Sequence, residues 1–488
     1  MIENLTQRRE SNLMPIACFI FGLWIVASIF SSHCLYADGA YEFVRVLEAQ
    51  NFVAFMWSRH FAVYIYEFPL VLAIKLGVTS LAWLRLAFGL GCFLPWPVAL
   101  FCCWRISPKN FWLAVAGCGM GYLNVAFLAV SEHILAHALF WPSLFAILFA
   151  RPLNFFATVV LLASATGMLF SYESQAILCI PLALLALWRA WHEKKSGHGW
   201  SWVVFLLASA LFFADITAGW CGVFMPELPA NLGGFKTSTL HILGHLGWTF
   251  SWTVAWAGLV LLVASSEKLA RIVSHKTGYY LLAVLFVIWG TWPLMAPDEL
   301  DNGIQYDNRV LDLLIPIALL PVALILRFQP RWIERKQNRL VQLTAALLIA
   351  QSVWQIIATV CWYQDVLLLR SILASNRGII PLHSTILPAH KMEGGEPQNA
   401  IGGRFDWNWP CLSVSLAPTP KINSLVCSEI FLNPTLRRLC WQPFDPLKAK
   451  TLPRLEHYDI NFNGYITALQ ENAQANAPDH ATNGLNRP

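Results

Sequence analysis

Long apolar runs constrain this chain more than any other feature of its sequence. Runs of about 17–25 predominantly apolar residues, long enough to cross a hydrocarbon core of about 30 Å as a helix, recur along most of the chain. Of its 488 residues, 57% are hydrophobic and only 12% are charged, with a mean hydropathy of +0.53. A water-soluble chain could not bury so much apolar surface. The sequence therefore predicts an all-α polytopic membrane protein.

About eleven transmembrane helices are predicted from these runs. They lie near residues 14–32, 81–104, 110–129, 135–150, 154–171, 175–190, 200–218, 247–264, 279–296, 309–327 and 341–362. The first run follows Arg8 and Arg9, which is also typical of a signal peptide. No small-residue cleavage site precedes Asp38, so we interpret the run as a retained span.

Basic residues in the short loops indicate the orientation. With these spans, the Lys and Arg residues of the short loops, such as Arg105, Arg151 and Arg189, fall on one side of the membrane, which the positive-inside rule assigns to the cytoplasm. The amino terminus is then cytoplasmic and the carboxyl terminus lies outside. The net charge of +5 reflects this topology and gives no indication of nucleic-acid binding.

The first outer segment, about 33–80, is long and partly apolar. If residues 60–75 crossed the membrane, every later loop would change sides and the basic loops would lie outside. The charge bias therefore predicts juxtamembrane helices at the membrane interface in this segment.

Acidic residues concentrate on the predicted outer side. Asp38 and Glu42 lie in the loop that follows the first span, and Glu173 lies in the third outer loop. Asp215 lies near the outer end of the seventh span, and it is interpreted as facing the same cavity. Carboxylates at this depth touch water but border lipid, which makes this face the candidate site of chemistry.

A short outer loop carries a carboxylate and two imidazoles. In a helix that begins there, His133 and His137 share a face, and Glu132 lies beside them at the amino-terminal edge. This set could bind a divalent metal or orient a phosphate. Alternatively, Ser131 caps the helix, Glu132 suits its positive end, and the histidines bond neighbouring loops. The sequence leaves both interpretations open.

Arg309 opens the predicted tenth span on the outer side. Positive charge is disfavoured there, and a guanidinium group suits bidentate capture of a phosphate or carboxylate. An ion pair with Asp307 or Asp312 would use the same donors, so this alternative also stays open.

The last part of the chain is less apolar and rich in turn residues. We predict a transmembrane domain at 1–362, an extracytoplasmic α/β or β domain at 363–465 and a disordered tail at 466–488. The alternating runs 411–416 and 422–427 are typical of strands. One disulfide is predicted among Cys411, Cys427 and Cys440, with the pairing open.

This layout resembles the GT-C superfamily of membrane glycosyltransferases, which use polyprenyl-phosphate-linked sugars as donors. The resemblance rests on Asp38 in the first outer loop, juxtamembrane helices, Glu132 with His133 in the second outer loop, Arg309 at a late span and an outer carboxyl-terminal domain. It implies an inverting transferase in the bacterial inner membrane, with the carboxyl-terminal domain in the periplasm. Its expected partners are membrane lipids, a polyprenyl-phosphate sugar and an unidentified acceptor, and not nucleic acid.

Three local motifs depart from known members of that superfamily. Asp38 is followed by Gly39, where protein mannosyltransferases tend to have adjacent Asp-Glu. The sequences Ser131-Glu132-His133 and Trp407-Asn408-Trp409 replace the Asp-x-Asp-type and Trp-Trp-Asp motifs of oligosaccharyltransferases. Glycan transfer to protein asparagine is therefore disfavoured.

The resemblance implies a role for each candidate residue. Asp38 is expected to act as the base, because in that superfamily the first-loop acid is implicated in catalysis or metal binding. Glu132 and His133 are expected to hold a divalent cation, Mg or Mn, and His137 and Arg309 to bind phosphate. Glu42 and Glu173 are secondary candidates for substrate binding.

Two other functional classes compete with the transferase. A transporter or flippase of lipid-linked glycan precursors usually has ionisable residues or broken helices at mid-membrane, often in paired halves. Here the mid-span regions are almost free of charge and no two halves match. A non-catalytic scaffold for envelope assembly would leave the acidic outer loops without a joint role.

Overall fold

The protein is mostly helical in the computed structural model, with one small two-stranded sheet. The structure describes residues 13–36, 38–53, 59–123, 132–172, 175–197, 199–224, 304–329, 337–381, 409–427 and 452–475. The predicted spans 247–264 and 279–296 lie outside these ranges.

Helices follow one another along most of the described chain. In order they are α1 (Leu13–Phe30), α2 (Asp38–Ala49), α3 (His60–Lys75), α4 (Leu81–Phe93), α5 (Pro95–Ile106), α6 (Phe111–Gly117), α7 (Glu132–Phe149), α8 (Phe155–Met168), α9 (Gln175–Lys195), α10 (Ser201–Phe224), α11 (Ile304–Phe328), α12 (Gln337–Ser375), α13 (Trp409–Leu416) and α14 (Asn463–Ala475). The strands are β1 (Gly378–Pro381) and β2 (Ser424–Cys427).

Several of these helices are long and apolar enough to cross a membrane. Five described helices meet this requirement, namely α1, α7, α9, α10 and α12. The pair α4 and α5 makes a sixth if it counts as one bent span. The chain is therefore a multi-pass membrane protein by length and composition, whereas the count of eleven spans and the orientation stay predictions.

Two helical irregularities interrupt the predicted spans. The predicted helix 81–104 bends by 43° between α4 and α5, where Pro95 begins the second helix. Proline fits the first turn of a helix because it lacks a backbone N–H. The second irregularity is a π-helical turn, Cys118–Tyr122, that continues α6. A Cβ added at Gly121 would collide with the His137 ring, so glycine permits this close packing.

The chain divides into two compact units. The first contains Met1–Cys34, Phe52–Leu72 and Arg85–Cys361, and the second contains Leu35–Asn51, Ala73–Leu84 and Trp362–Pro488. The predicted domain boundary after residue 362 falls inside α12, which continues to Ser375. No Gly or Pro interrupts residues 363–375, so nothing in that stretch ends the helix.

In the second unit, helices surround a short parallel sheet. β1 pairs with β2, with Gly378 opposite Ser424 and Pro381 opposite Cys427. Helix α13 packs on α2 and β2. The Tyr458 hydroxyl donates to the Leu47 carbonyl at 3.1 Å, which attaches the carboxyl-terminal segment to α2.

One of the two predicted strands is wrong. Residues 411–416 form part of helix α13, whereas β2 forms within the predicted run 422–427. The alternation of apolar and polar residues is typical of a strand with one exposed face. Here it occurs in a helix because residues 410–416 are all buried, the serines as well as the apolar side chains. Burial of the polar Ser413 side chain is tolerated because its hydroxyl donates to the Trp409 carbonyl at 2.8 Å and accepts from the Val426 amide at 3.0 Å.

The predicted tail and disulfide also need correction. Residues 463–475 form α14, so the prediction of disorder is wrong for 466–475, and residues 476–488 lie outside the described ranges.

Cys411 and Cys427 are both free thiols, so they do not pair with each other. Burial raises the pKa of Cys427 to about 12, which keeps its thiol protonated at neutral pH. Pairings with Cys440 lie outside the described residues.

Candidate functional site

In the first unit, the amino-terminal end of α7 holds three of the predicted site residues. The helix begins at Glu132, with His133 and His137 on its buried side. A carboxylate in the first turn is favoured by the partial positive charge of the helix end. The shared helical face of the two histidines, inferred from their spacing, is therefore present. Ser131, the predicted cap, lies outside the described residues.

Arg59, which is not among the predicted site residues, contacts this helix end. Its Nη1 atom lies 3.6 Å from Glu132 Oε1, and its guanidinium carbon lies 4.6 Å from the centroid of the Tyr172 ring. The Tyr172 ring is in turn 5.8 Å from the His133 ring. The Arg59 side chain is 15% exposed, so it is largely held within the protein but is not fully enclosed. Arg59, Glu132, His133 and Tyr172 are called the Arg59 cluster below.

Asp215 fixes the loop that carries Tyr172. The Phe170 amide donates to Asp215 Oδ1 at 3.2 Å, and the Cys179 thiol donates to Oδ2 at 2.9 Å. Phe170 has φ 56°, a left-handed conformation that bulky residues rarely adopt. The Phe61 amide also donates to the Phe170 carbonyl at 3.3 Å, which joins this loop to α3. The buried Asp215 carboxyl therefore affects the Arg59 cluster indirectly, because it holds the Phe170 backbone in the loop that carries Tyr172.

We expect Asp215→Ala to destabilise the protein by about 1–3 kcal/mol, because a buried amide and thiol would lose their acceptor. Denaturant unfolding of the purified chain would measure the change. Ser209→Ala is the matched control, since Ser209 on the same helix makes one neutral bond, to the Ala183 carbonyl at 3.0 Å. Equal losses in the two variants would contradict the positioning role.

His137 lies one helical turn deeper than His133 and has different neighbours. Its ring is 5.1 Å from the Trp96 ring and 6.3 Å from the Trp141 ring, and it packs against Gly121 of the π-helical turn. The side chain is fully buried among these groups. His137 therefore belongs to the helical core, while His133 belongs to the Arg59 cluster.

The metal site predicted at Glu132 and His133 stays a prediction. The described residues contain no group of three His, Cys, Asp or Glu side chains that could hold a metal ion. Glu132 faces Arg59, and His137 faces aromatic rings.

Two other predicted residues are only partly described. Arg309 lies within α11, which begins at Ile304, so the predicted start of this span at 309 is too late. The Arg309 side chain and its predicted partners Asp307 and Asp312 lie outside the described side chains. Glu173 lies outside the described residues.

In the second unit, Asp38 and Glu42 lie on helix α2. The segment was predicted to be a loop, but a helix begins at Asp38 itself. Asp38 is partly exposed and Glu42 is buried one turn later, on the same helical face. Burial raises the pKa of Tyr41, which lies between them in sequence, while nearby Arg45 acts in the opposite direction. Arg45 also pairs with Glu48 at 2.7 Å.

A signal in the sequence could have identified Arg59. Arg59 lies in the predicted outer segment 33–80, where the positive-inside rule disfavours basic residues. The same property singles out Arg309. The contact of Arg59 with Glu132 and Tyr172 joins three segments that are distant in sequence. Sequence spacing therefore could not reveal its partners.

The structure brings Glu132 and His133 together with Arg59 and Tyr172 in the first unit, and Asp38 together with Glu42 in the second. The resemblance to GT-C transferases rests on the layout and residues of this chain alone. No protein-family model, curated protein or solved structure matches the sequence.

Proposed function

We propose that this chain is a membrane glycosyltransferase that moves a sugar from a polyprenyl-phosphate donor to a hydroxyl of an extracytoplasmic glycan, lipid or protein. The observation that carries the proposal is the Arg59 cluster. A partly exposed guanidinium beside the amino-terminal end of α7 combines two features that favour bound phosphate. Tyr172 supports the guanidinium from one side.

The proposed chemistry is one displacement at the anomeric carbon of the sugar. The acceptor oxygen bonds to that carbon as its bond to the phosphate oxygen breaks, which inverts the configuration. The leaving polyprenyl phosphate takes the electron pair, and the charge that develops on it is stabilised by Arg59. A base takes the proton of the acceptor hydroxyl, whose high pKa makes general-base assistance useful, and Asp38 is the residue that the sequence predicts for this role. Arg309 remains a proposed second phosphate anchor.

The apolar surface of the first unit suits a donor with a long hydrocarbon chain. Large side chains such as Phe19, Phe30 and Phe101 are more than half exposed, and they would face lipid in a membrane. A polyprenyl chain can remain in the same apolar layer while its phosphate reaches the polar surface.

One observation favours the rival transport function. The 43° bend between α4 and α5 and the π-helical turn Cys118–Tyr122 lie close together, since Trp96 and Tyr122 stack with centroids 5.0 Å apart. Broken helices at membrane depth often mark transport pathways. A flippase of lipid-linked glycans is therefore the second candidate.

A test of the proposal offers the purified chain in lipid nanodiscs a panel of polyprenyl-phosphate sugars. Mass spectrometry would measure release of free polyprenyl phosphate and transfer of the sugar. We expect release with one donor class, and none with a donor whose phosphate is masked as a methyl ester. Movement of intact donor across proteoliposomes without release would support the flippase, and no binding of any donor would overturn both.

A further inference from the structure

The turn between α9 and α10 carries exposed lysines that lie against tryptophan rings. Lys195 Nζ is 4.8 Å from the centroid of the Trp191 ring, and Lys194 Nζ is 5.3 Å from that of Trp202. Trp191 is 64% exposed and Trp200 is 82% exposed, so the aromatic surface is available to a partner. We propose that this turn, residues 191–197 and 199–202, binds the headgroups of anionic phospholipids.

The one acidic residue of the turn is already neutralised. Glu193 Oε1 lies 2.6 Å from Arg189 Nη2, which also donates to the Ala150 carbonyl at 3.2 Å, and both side chains are buried. Within the described part of the chain, no carboxylate lies within ion-pair distance of Lys194 or Lys195. The turn therefore presents two uncompensated positive charges to its surroundings.

A lipid surface fits this combination of groups. Tryptophan rings favour the boundary between the apolar layer and water, and the turn joins two helices that are long enough to cross a membrane. The lysine ammonium groups then lie at headgroup depth, where phosphate oxygens are the available acceptors. The positive-inside rule assigns this turn to the cytoplasmic leaflet, whose anionic lipids attract such basic segments. This binding does not depend on the proposed transferase activity.

The test compares lipid binding by the full-length chain and by two doubly substituted variants of equal charge change. In Lys194→Gln/Lys195→Gln, the loss of two lysines at about fivefold each should weaken phosphatidylglycerol binding by about 25-fold. The control, Arg377→Gln/Lys421→Gln, removes two exposed cations from the second unit, where no described aromatic contact involves them. Native mass spectrometry of the protein released from mixed phosphatidylglycerol and phosphatidylcholine nanodiscs would measure retained lipid.

The expected result is that the control changes phosphatidylglycerol retention less than twofold. Lys194→Arg/Lys195→Arg should retain the wild-type preference, because it keeps both charges. Equal losses in the two Gln variants would show a general effect of net charge and overturn the site. A wild-type chain without preference for phosphatidylglycerol over phosphatidylcholine would also overturn it. The readout is lipid retention, so a failed transferase assay leaves this result unaffected.

Discussion

Asp38→Asn is expected to reduce sugar transfer by about 100- to 10,000-fold, the usual contribution of a general base. Asparagine has nearly the same size and also suits the start of a helix, so α2 should still form from residue 38. The amide cannot take the proton of the acceptor hydroxyl. Donor binding and thermal unfolding should therefore stay close to those of the wild type, while turnover falls.

Glu48→Gln on the same helix is the matched control for Asp38→Asn. Glu48 is a third exposed and forms an ion pair with Arg45, which is worth little at a surface. We expect its transfer rate to change less than threefold. Full activity of Asp38→Asn would contradict the assignment of the base and would favour the scaffold interpretation.

Arg59→Gln is expected to weaken donor binding by about 10- to 100-fold. A hydrogen bond to a charged group contributes about 1.5–3 kcal/mol, and glutamine retains neither the charge nor the paired donors of the guanidinium group. Arg59→Lys should recover part of the affinity, because it restores the charge without the planar geometry. Titration with a short polyprenyl phosphate, followed by tryptophan fluorescence, would measure the affinity.

Two further variants separate a binding effect from a folding effect at Arg59. Arg105→Gln removes another arginine that lies near an aromatic ring, with its guanidinium carbon 5.9 Å from the Phe156 centroid, and it should leave donor affinity unchanged. Arg59→Gln/Glu132→Gln removes both members of the ion pair and leaves no unpaired carboxylate, so any loss of stability in Arg59→Gln should be relieved while donor binding stays weak. Recovery of donor binding in this double variant would contradict a phosphate role for Arg59.

The membrane helices were the part of the fold that sequence predicted best. Hydrophobic runs that lie within the described chain correspond to helices such as α7, α9 and α10, because length and apolar content are local properties. The bend before Pro95 and the extension of α12 to Ser375 were missed. Helix ends depend on capping and tertiary contacts that hydrophobicity alone does not report.

The second unit was harder to predict because its helices and strands are short. Residues 411–416 alternate as a strand would, yet they form part of α13, where the buried Ser413 hydroxyl bonds to neighbouring backbone. The helix at 463–475 overlaps the polar segment 466–488, whose composition is typical of disorder. Tertiary contacts hold this helix in the second unit. The Tyr465 side chain is fully buried, and the Tyr465 amide donates to the Ile422 carbonyl.

Glu132 and His133 of the candidate site were predicted from the sequence, but Arg59 and the contacts among these residues were not. The i, i+4 spacing of His133 and His137 correctly placed them on one face, but it could not show that His137 packs against Trp96 while His133 contacts Tyr172. Asp215 was expected to face a cavity, whereas its carboxyl holds the Phe170 backbone. Both differences arise from packing between segments that are distant in sequence.

The most direct test of phosphate binding at the Arg59 cluster is photo-crosslinking with a short polyprenyl phosphate that carries a diazirine next to its phosphate. After illumination and digestion, mass spectrometry would identify the labelled residues. We predict label within a few residues of Arg59, Glu132 and Tyr172, removed by excess unlabelled polyprenyl phosphate and strongly reduced in Arg59→Gln. Competable label confined to other helices, with none on these three segments, would contradict the account.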